Sequence, residues 1–289
     1  MLPPLPDRVF LVTGSTDGIG QFTAELLAKE RATVLVHGRY PLRYTHSMRS
    51  ITSTSIPSRT PSKVARVVEE LDKYSPGKVH GFVADLSLVS ETKRLGEEIG
   101  GRFPHIHGLL NNAGTFAGDY TGRRQTTPEG NEYSLAVNVL APFMLTSMLL
   151  PNVRASGAGR VLITSSISAG SNDALDDLQC EKRWSDHRAY ELSKLCDAMM
   201  IQELSSRYAD PPRLTFHTMD PGTVNTKMLR AGWGGGPSVR TATTSFEMLT
   251  QDKYQQSTGA GASYCCGEGP PARKRLWDQL VKLTGAVYP

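Results

Sequence analysis

Short apolar runs alternate with helical stretches along most of this chain, and that alternation limits the fold more than any other feature. Val9–Val12, Thr33–His37, Val79–Ala84, Ile106–Leu110, Arg160–Thr164 and Leu214–Met219 read as strands buried on both faces. Between them, apolar residues recur at helical spacing over Ile19–Glu30, Lys63–Tyr74, Val89–Ile99, Glu129–Leu150 and Arg188–Tyr208. Pro151 is expected to stop the fourth of these helices. Repeated strand–helix–strand units predict right-handed crossovers, a doubly wound parallel sheet and helices on both faces, an α/β three-layer sandwich. The 289 residues suit one large domain over 1–289.

Ligands on such sheets sit beyond the carboxyl ends of the strands. The polar and glycine-rich motifs fall there: TGSTDGIG (Thr13–Gly20), HGR (His37–Arg39), ADLS (Ala84–Ser87), NNAG (Asn111–Gly114), the pair Ser165–Ser166, and DPG (Asp220–Gly222). Unrelated turns would scatter over both edges, so this gathering predicts one shared site. TGSTDGIG carries three glycines in eight residues. Glycine is used where a turn needs positive φ or where no side chain fits. A strand that enters a helix through such a turn suggests a phosphate-binding site.

Composition excludes several classes. The formal charge of +4 calls for neither nucleic acid nor a membrane surface. The four cysteines, Cys180, Cys196, Cys265 and Cys266, form no C-x-x-C pair, so free thiols in a reducing, cytoplasmic setting are expected, and no metal site. The first strand begins within the first ten residues, so no signal peptide is expected ahead of it. No apolar run is expected to reach the roughly 20 residues that span a bilayer. The stretch 40–62, YPLRYTHSMRSITSTSIPSRTPS, has no acidic residue and no period, and reads as a flexible surface insertion.

Taken in order, these motifs resemble the short-chain dehydrogenase/reductase family. The residues that carry the resemblance are TGSTDGIG, NNAG, Asn138 in AVNVLAP, Ser166 in RVLITSS, YELSK (Tyr190–Lys194) and DPGTVNT (Asp220–Thr226). DDLQCEKRWSDHRAYELSK and the tail RKRLWDQLVKLTG are similar to the branch of retinol-dehydrogenase-like enzymes. The resemblance implies a Rossmann-type, NAD(P)-dependent oxidoreductase. Hydride would pass between a nicotinamide and a small or lipophilic carbonyl or alcohol.

Tyr190 and Lys194 are four apart in a helical stretch and share a face. A phenol titrates near ~10 in water, and a nearby ammonium stabilises its phenolate. Tyr190 is therefore expected to move the proton. Lys194 tunes it and, as the resemblance implies, holds the nicotinamide ribose. Ser166 would donate to the substrate oxygen as charge develops there. Asn138, as the resemblance implies, would kink its helix and order a water that relays protons to Lys194.

The implied cofactor contacts are Gly14, Gly18, Ile19 and Gly20 at the pyrophosphate, Asp85 at the adenine, Asn111 and Gly114 at the adenosine side, Tyr190 and Lys194, and Pro221, Gly222 and Thr226 at the nicotinamide. Arg39 favours NADP(H) over NAD(H), because a basic residue after the second strand suits a ribose phosphate. Asp17 departs from that pattern. Residues 227–254 are expected to form a substrate lid, with Met228, Leu229 and Trp233 apolar and GWGGGP as a hinge. The tail is expected to dock on the core rather than on a membrane, and a homodimer stays open. Two other readings compete: a non-catalytic dinucleotide sensor or scaffold on the same fold, and an epimerase or dehydratase that uses the cofactor transiently.

Overall fold

Six parallel strands run in the order β3-β2-β1-β4-β5-β6. They are β1 (Val9–Val12), β2 (Thr33–Gly38), β3 (Val79–Val83), β4 (Gly108–Asn111), β5 (Gly159–Thr164) and β6 (Leu214–Met219). The computed structural model describes residues 2–39, 62–116, 123–170, 172–259 and 269–289. All of the segment 40–62 but Ser62, together with Cys265 and Cys266, lies outside the described residues.

The apolar runs lack polar alternation because both sheet faces are covered. Leu11, Leu35, Leu109 and Val161 join one core cluster, while Phe10, Val12, Val34, Val36, Leu110 and Leu162 join the other. The order of strands reverses between β1 and β4. Val12, the last residue of β1, pairs with Val36 on one side and with Leu110 on the other, so β2 runs on to Gly38 and β4 to Asn111 beyond it at that switch point.

The helices are α1 (Gly18–Lys29), α2 (Lys63–Asp72), α3 (Val89–Arg102), α4 (Tyr133–Leu135), α5 (Ala141–Ala155), α6 (Asp186–Tyr208), α7 (Lys227–Gly232), α8 (Thr244–Thr250) and α9 (Pro270–Thr284). A π-helical turn, Ala136–Leu140, joins α4 to α5, so that Tyr133–Ala155 forms one helical run.

That run differs from the expected Glu129–Leu150 at both ends. Glu132 is the N-cap, its carboxylate accepting from the backbone nitrogen of Leu135 at 2.7 Å. Glu129 instead accepts from the backbone nitrogens of Val89 and Ser90 and so caps α3. Pro151 does not end the helix, which continues to Ala155. A proline inside a helix forfeits a hydrogen bond at a cost of about 3 kcal/mol. Here Leu149, Leu150 and Val153 are fully buried around it, and that burial outweighs the loss. The run is also long and apolar enough to cross a bilayer by length and composition, contrary to the expectation from the sequence. Its most apolar window is 89% buried inside the protein, which places that hydrophobicity in the core.

The C-terminal helix docks as expected. Leu276, Trp277 and Leu280 are buried against α6, and the Tyr288 hydroxyl donates to the Phe143 carbonyl at 2.8 Å.

Candidate active site

A cleft of about 1250 Å³ opens over the strand ends at the switch point. Of the residues singled out from the sequence, Gly14, Gly18, Ile19, Arg39, Asp85, Gly114, Ser166, Tyr190, Lys194, Pro221, Gly222 and Thr226 line it. Gly20, Asn111 and Asn138 do not.

The glycine turn is built by its neighbours. Gly14 has φ +65°, and a Cβ there would stand 2.8 Å from the Cα of Ala113. Only glycine meets both demands. A Cβ on Gly20 would strike the Asn112 amide and the Gly14 carbonyl. Gly20 therefore permits helix α1 to close on the turn and presents no surface to the cleft. The Thr13 hydroxyl accepts from the backbone nitrogens of Asn112 and Ala113, both at 2.9 Å, and fastens the end of β4 to that of β1. The backbone nitrogen of Gly14 donates to Nδ1 of His37 at 3.2 Å, and Nε2 of His37 donates to the Ala84 carbonyl at 3.2 Å. Burial holds the His37 imidazole down to about 4, so it is neutral with its proton on Nε2.

Strand alternation decides between the two asparagines of NNAG. Asn111 ends β4 facing α5, where its amide donates to the Thr146 hydroxyl at 3.1 Å. Asn112 faces the cleft, and its amide donates to the Thr13 carbonyl at 3.0 Å. Period two puts adjacent residues on opposite faces, and the sequence does not say which of the pair leaves the ladder first.

Asn138 lies in the π-helical turn, almost fully buried. Its oxygen accepts from the backbone nitrogen of Thr115 at 2.8 Å, and its nitrogen donates to the Thr115 carbonyl at 3.0 Å and the Ser193 hydroxyl at 2.9 Å. The amide thus joins the loop after β4 to α6. Ser165 is buried and donates to the Lys194 carbonyl at 3.1 Å, whereas Ser166 is half-buried at the cleft.

Tyr190 and Lys194 lie on the inner face of α6, which starts at the Ser185 cap. Lys194 Nζ stands 5.5 Å from the centre of the Tyr190 ring. It donates to the Thr164 carbonyl at 2.8 Å and to Asp197 Oδ2 at 3.0 Å. Burial pushes the Lys194 ammonium down, but the charges of Asp197, Tyr190 and Asp220 more than reverse this and raise it above its ordinary value. Burial pushes the Asp197 carboxyl up to about 7 against the pull of Lys194. Asp197 was not singled out in the sequence. Its position one helical turn past Lys194 was the available signal.

Further residues border the cleft that the motifs did not indicate. Lys63 and Arg66, in the first turn of α2, line it together with Arg39. The Arg39 guanidinium donates to the Tyr133 hydroxyl at 2.8 Å. Asp17 caps α1 and ion-pairs with Lys227 at the start of α7. The pairing with Lys227 outweighs burial and lowers the Asp17 carboxyl below its ordinary value. The Asp220 carboxylate accepts from the backbone nitrogens of Ile167 and Gly222 at 2.7 and 2.6 Å, holding the loop after β5 against that after β6.

The segment 227–254 divides. Lys227, Met228, Leu229 and Trp233 border the cleft. Helix α8 packs on the sheet instead, with Met248 and Leu249 buried and Ser245 in a hydroxyl pair with Thr23 at 2.6 Å. The Trp233 ring lies 5.3 Å from that of Tyr190 and 4.6 Å from that of Phe116.

The short chain dehydrogenase family model matches residues 46–233, a span that contains Asn111–Gly114, Ser166 and Tyr190–Lys194. Polyprenol dehydrogenase of Mus musculus is 32% identical over 99% of this chain and 86% of its own length. Retinol dehydrogenase 12 of Homo sapiens is 31% identical over 97% of this chain and 87% of its own. A short chain dehydrogenase from Shigella flexneri 2a str. 301, solved with NADP, superposes with a TM-score of 0.64 at 25% identity, over 89% of this chain and 97% of that one.

Proposed function

The chain belongs to the short-chain dehydrogenase/reductase family, with retinol dehydrogenases among its relatives, and from that premise we propose that it moves hydride between NADP(H) and a lipophilic alcohol or carbonyl compound. As a member of that family it is an oxidoreductase that binds a nicotinamide dinucleotide and acts on small molecules. The observation that carries the finer reading is the meeting of Ser166, Tyr190 and Lys194 in one cleft with the glycine turn.

The cradle fits a dinucleotide. Gly14 and Gly18 line the cleft in a strand-to-helix turn, the kind of junction that takes a pyrophosphate. Arg39, Lys63 and Arg66 supply three cations at one end of the cleft, which favours a ribose phosphate there and hence NADP(H). The Asp17 carboxylate is paired with Lys227, so it opposes that phosphate little. The relative solved with NADP is consistent with the same choice.

When bound, the nicotinamide supplies or takes the hydride. In the alcohol-to-carbonyl direction, the Tyr190 phenolate takes the hydroxyl proton as the carbon loses hydride. In the reverse direction the phenol gives that proton to the developing alkoxide. Ser166 donates a hydrogen bond to the same oxygen, and Lys194 stabilises the phenolate. Ile167, Met228, Leu229 and Trp233 form an apolar surround for the substrate, with Phe116 packed behind Tyr190 and Trp233, and the names polyprenol dehydrogenase and retinol dehydrogenase 12 accord with a lipophilic one.

NADPH consumption with a panel of short and long aldehydes and ketones tests this, with NADH in parallel. Faster turnover of the longer substrates with NADPH is expected. No turnover of any carbonyl or alcohol with either cofactor would overturn the reading.

A further inference from the structure

Asp197 is fully buried on α6, one helical turn beyond Lys194. Its Oδ2 accepts from Lys194 Nζ at 3.0 Å, and its Oδ1 has no hydrogen-bond partner among the described residues. A buried carboxyl with half its acceptor capacity unused is unfavourable, and a buried ion pair is often no more stable than apolar residues in place of both partners. Among the described residues, the Asp197 carboxylate's hydrogen-bond partner is the Lys194 ammonium. That ammonium has three N–H donors. One goes to Asp197 and one to the Thr164 carbonyl, which leaves the third for the cleft that Lys194 lines.

We propose that Asp197 is a positioning residue for the catalytic pair: it aims the Lys194 ammonium and keeps it charged in its buried place, so that Lys194 can act on the Tyr190 phenol. The inference rests on the reading of Tyr190 and Lys194 given above. Among the described residues, the charge that acts on Asp197 is that of Lys194, while Lys194 feels Asp197, Tyr190 and, from the end of β6, Asp220. With the Asp197 carboxyl pushed up to about 7 by burial, the counter-charge is present above neutrality and fades below it. A lone lysine in this place would be pushed down by burial, so Asp197 keeps Lys194 charged and sustains the activation of Tyr190 in alkaline solution.

Phenolate ultraviolet absorbance, titrated with NADP⁺ bound, tests the proposal. Wild type and Asp197→Asn are each compared with their own Tyr190→Phe counterpart, so that each difference isolates one phenol. Asp197→Asn keeps the shape and removes the charge, so the buried Lys194 loses its counter-charge and the phenolate midpoint rises by about one pH unit. Asp197→Ser is read in the same way and covers a folding defect of the first variant, with circular dichroism as the check. A midpoint that stays in place or falls in a folded variant overturns the proposal. Turnover of NADPH with nonanal separates the two levels. If Tyr190→Phe abolishes turnover while the midpoint is unmoved, the role of Asp197 alone fails. If Tyr190→Phe keeps turnover, the catalytic reading itself fails.

Discussion

The backbone nitrogen of Gly14 donates to Nδ1 of His37 at 3.2 Å, so a neutral imidazole at the end of β2 holds the glycine turn at the end of β1. The other ring nitrogen is committed to Ala84 after β3. Three strand ends that border the cleft are thus tied through one side chain.

This relationship predicts acid sensitivity. His37, His107 and His217 are all held down to about 4 by burial, against 6.5 in the unfolded chain. A histidine kept neutral in the fold contributes stability that is fully present above 6.5 and is lost as pH falls towards 4. The loss is about 3 kcal/mol at most for each. Urea unfolding at a series of pH values should show stability falling across that window. His37→Gln should flatten the fall by about one proton's worth, and an unchanged slope would contradict the assignment.

Substitutions at the catalytic pair should separate chemistry from binding. Tyr190→Phe removes one hydroxyl, so NADPH affinity should survive while turnover falls by two or more orders of magnitude, roughly what loss of general acid–base catalysis costs. Lys194→Ala should lower turnover and NADPH affinity together. It should also lower the melting temperature, because it strips the buried Asp197 of its partner, a change that costs about 3–5 kcal/mol before Asp197 takes up a proton. Cofactor fluorescence titration and thermal unfolding of both variants check this.

Cofactor choice should depend on Arg39. Its planar guanidinium, oriented by Tyr133, suits a ribose phosphate. Arg39→Ala should weaken NADPH binding roughly ten- to a hundred-fold and leave NADH binding nearly unchanged. Lys63→Ala and Arg66→Ala should each give a smaller loss in the same direction. Equal losses for both cofactors would mean that Arg39 acts on the fold through Tyr133.

The indole of Trp233 should act on substrate size. It is 42% exposed, yet packs on the rings of Phe116 and Tyr190 at the cleft. Trp233→Ala should raise KM for long-chain carbonyl substrates about two- to ten-fold, the scale of one aromatic contact, with little effect on short ones. Equal effects on short and long substrates would assign Trp233 to packing alone. Gly232→Ala should be more damaging, because a Cβ there would stand 2.6 Å from the Phe116 ring.

The sequence by itself determined the architecture and most of the cleft. Strand and helix periods are local, and a doubly wound sheet puts its strand ends at one edge whatever the detail of packing. Tyr190 and Lys194 were legible as a pair because helical spacing alone puts them on one face. Ser166 and the glycine turn were legible because the family order of motifs is carried in the chain itself.

Tertiary structure decided the rest. Asn112 rather than Asn111 faces the cleft because strand pairing sets where β4 stops, and one residue of register changes the face. The helix through Pro151 persists because its surroundings are buried, and a local propensity cannot report that. Lys63 and Arg66 reach the site from a helix that no motif marked. Asp197 looked like one more polar residue on a long helix. Only the elements packed around α6 make it a buried charge, and burial is a property of the neighbours rather than of the residue.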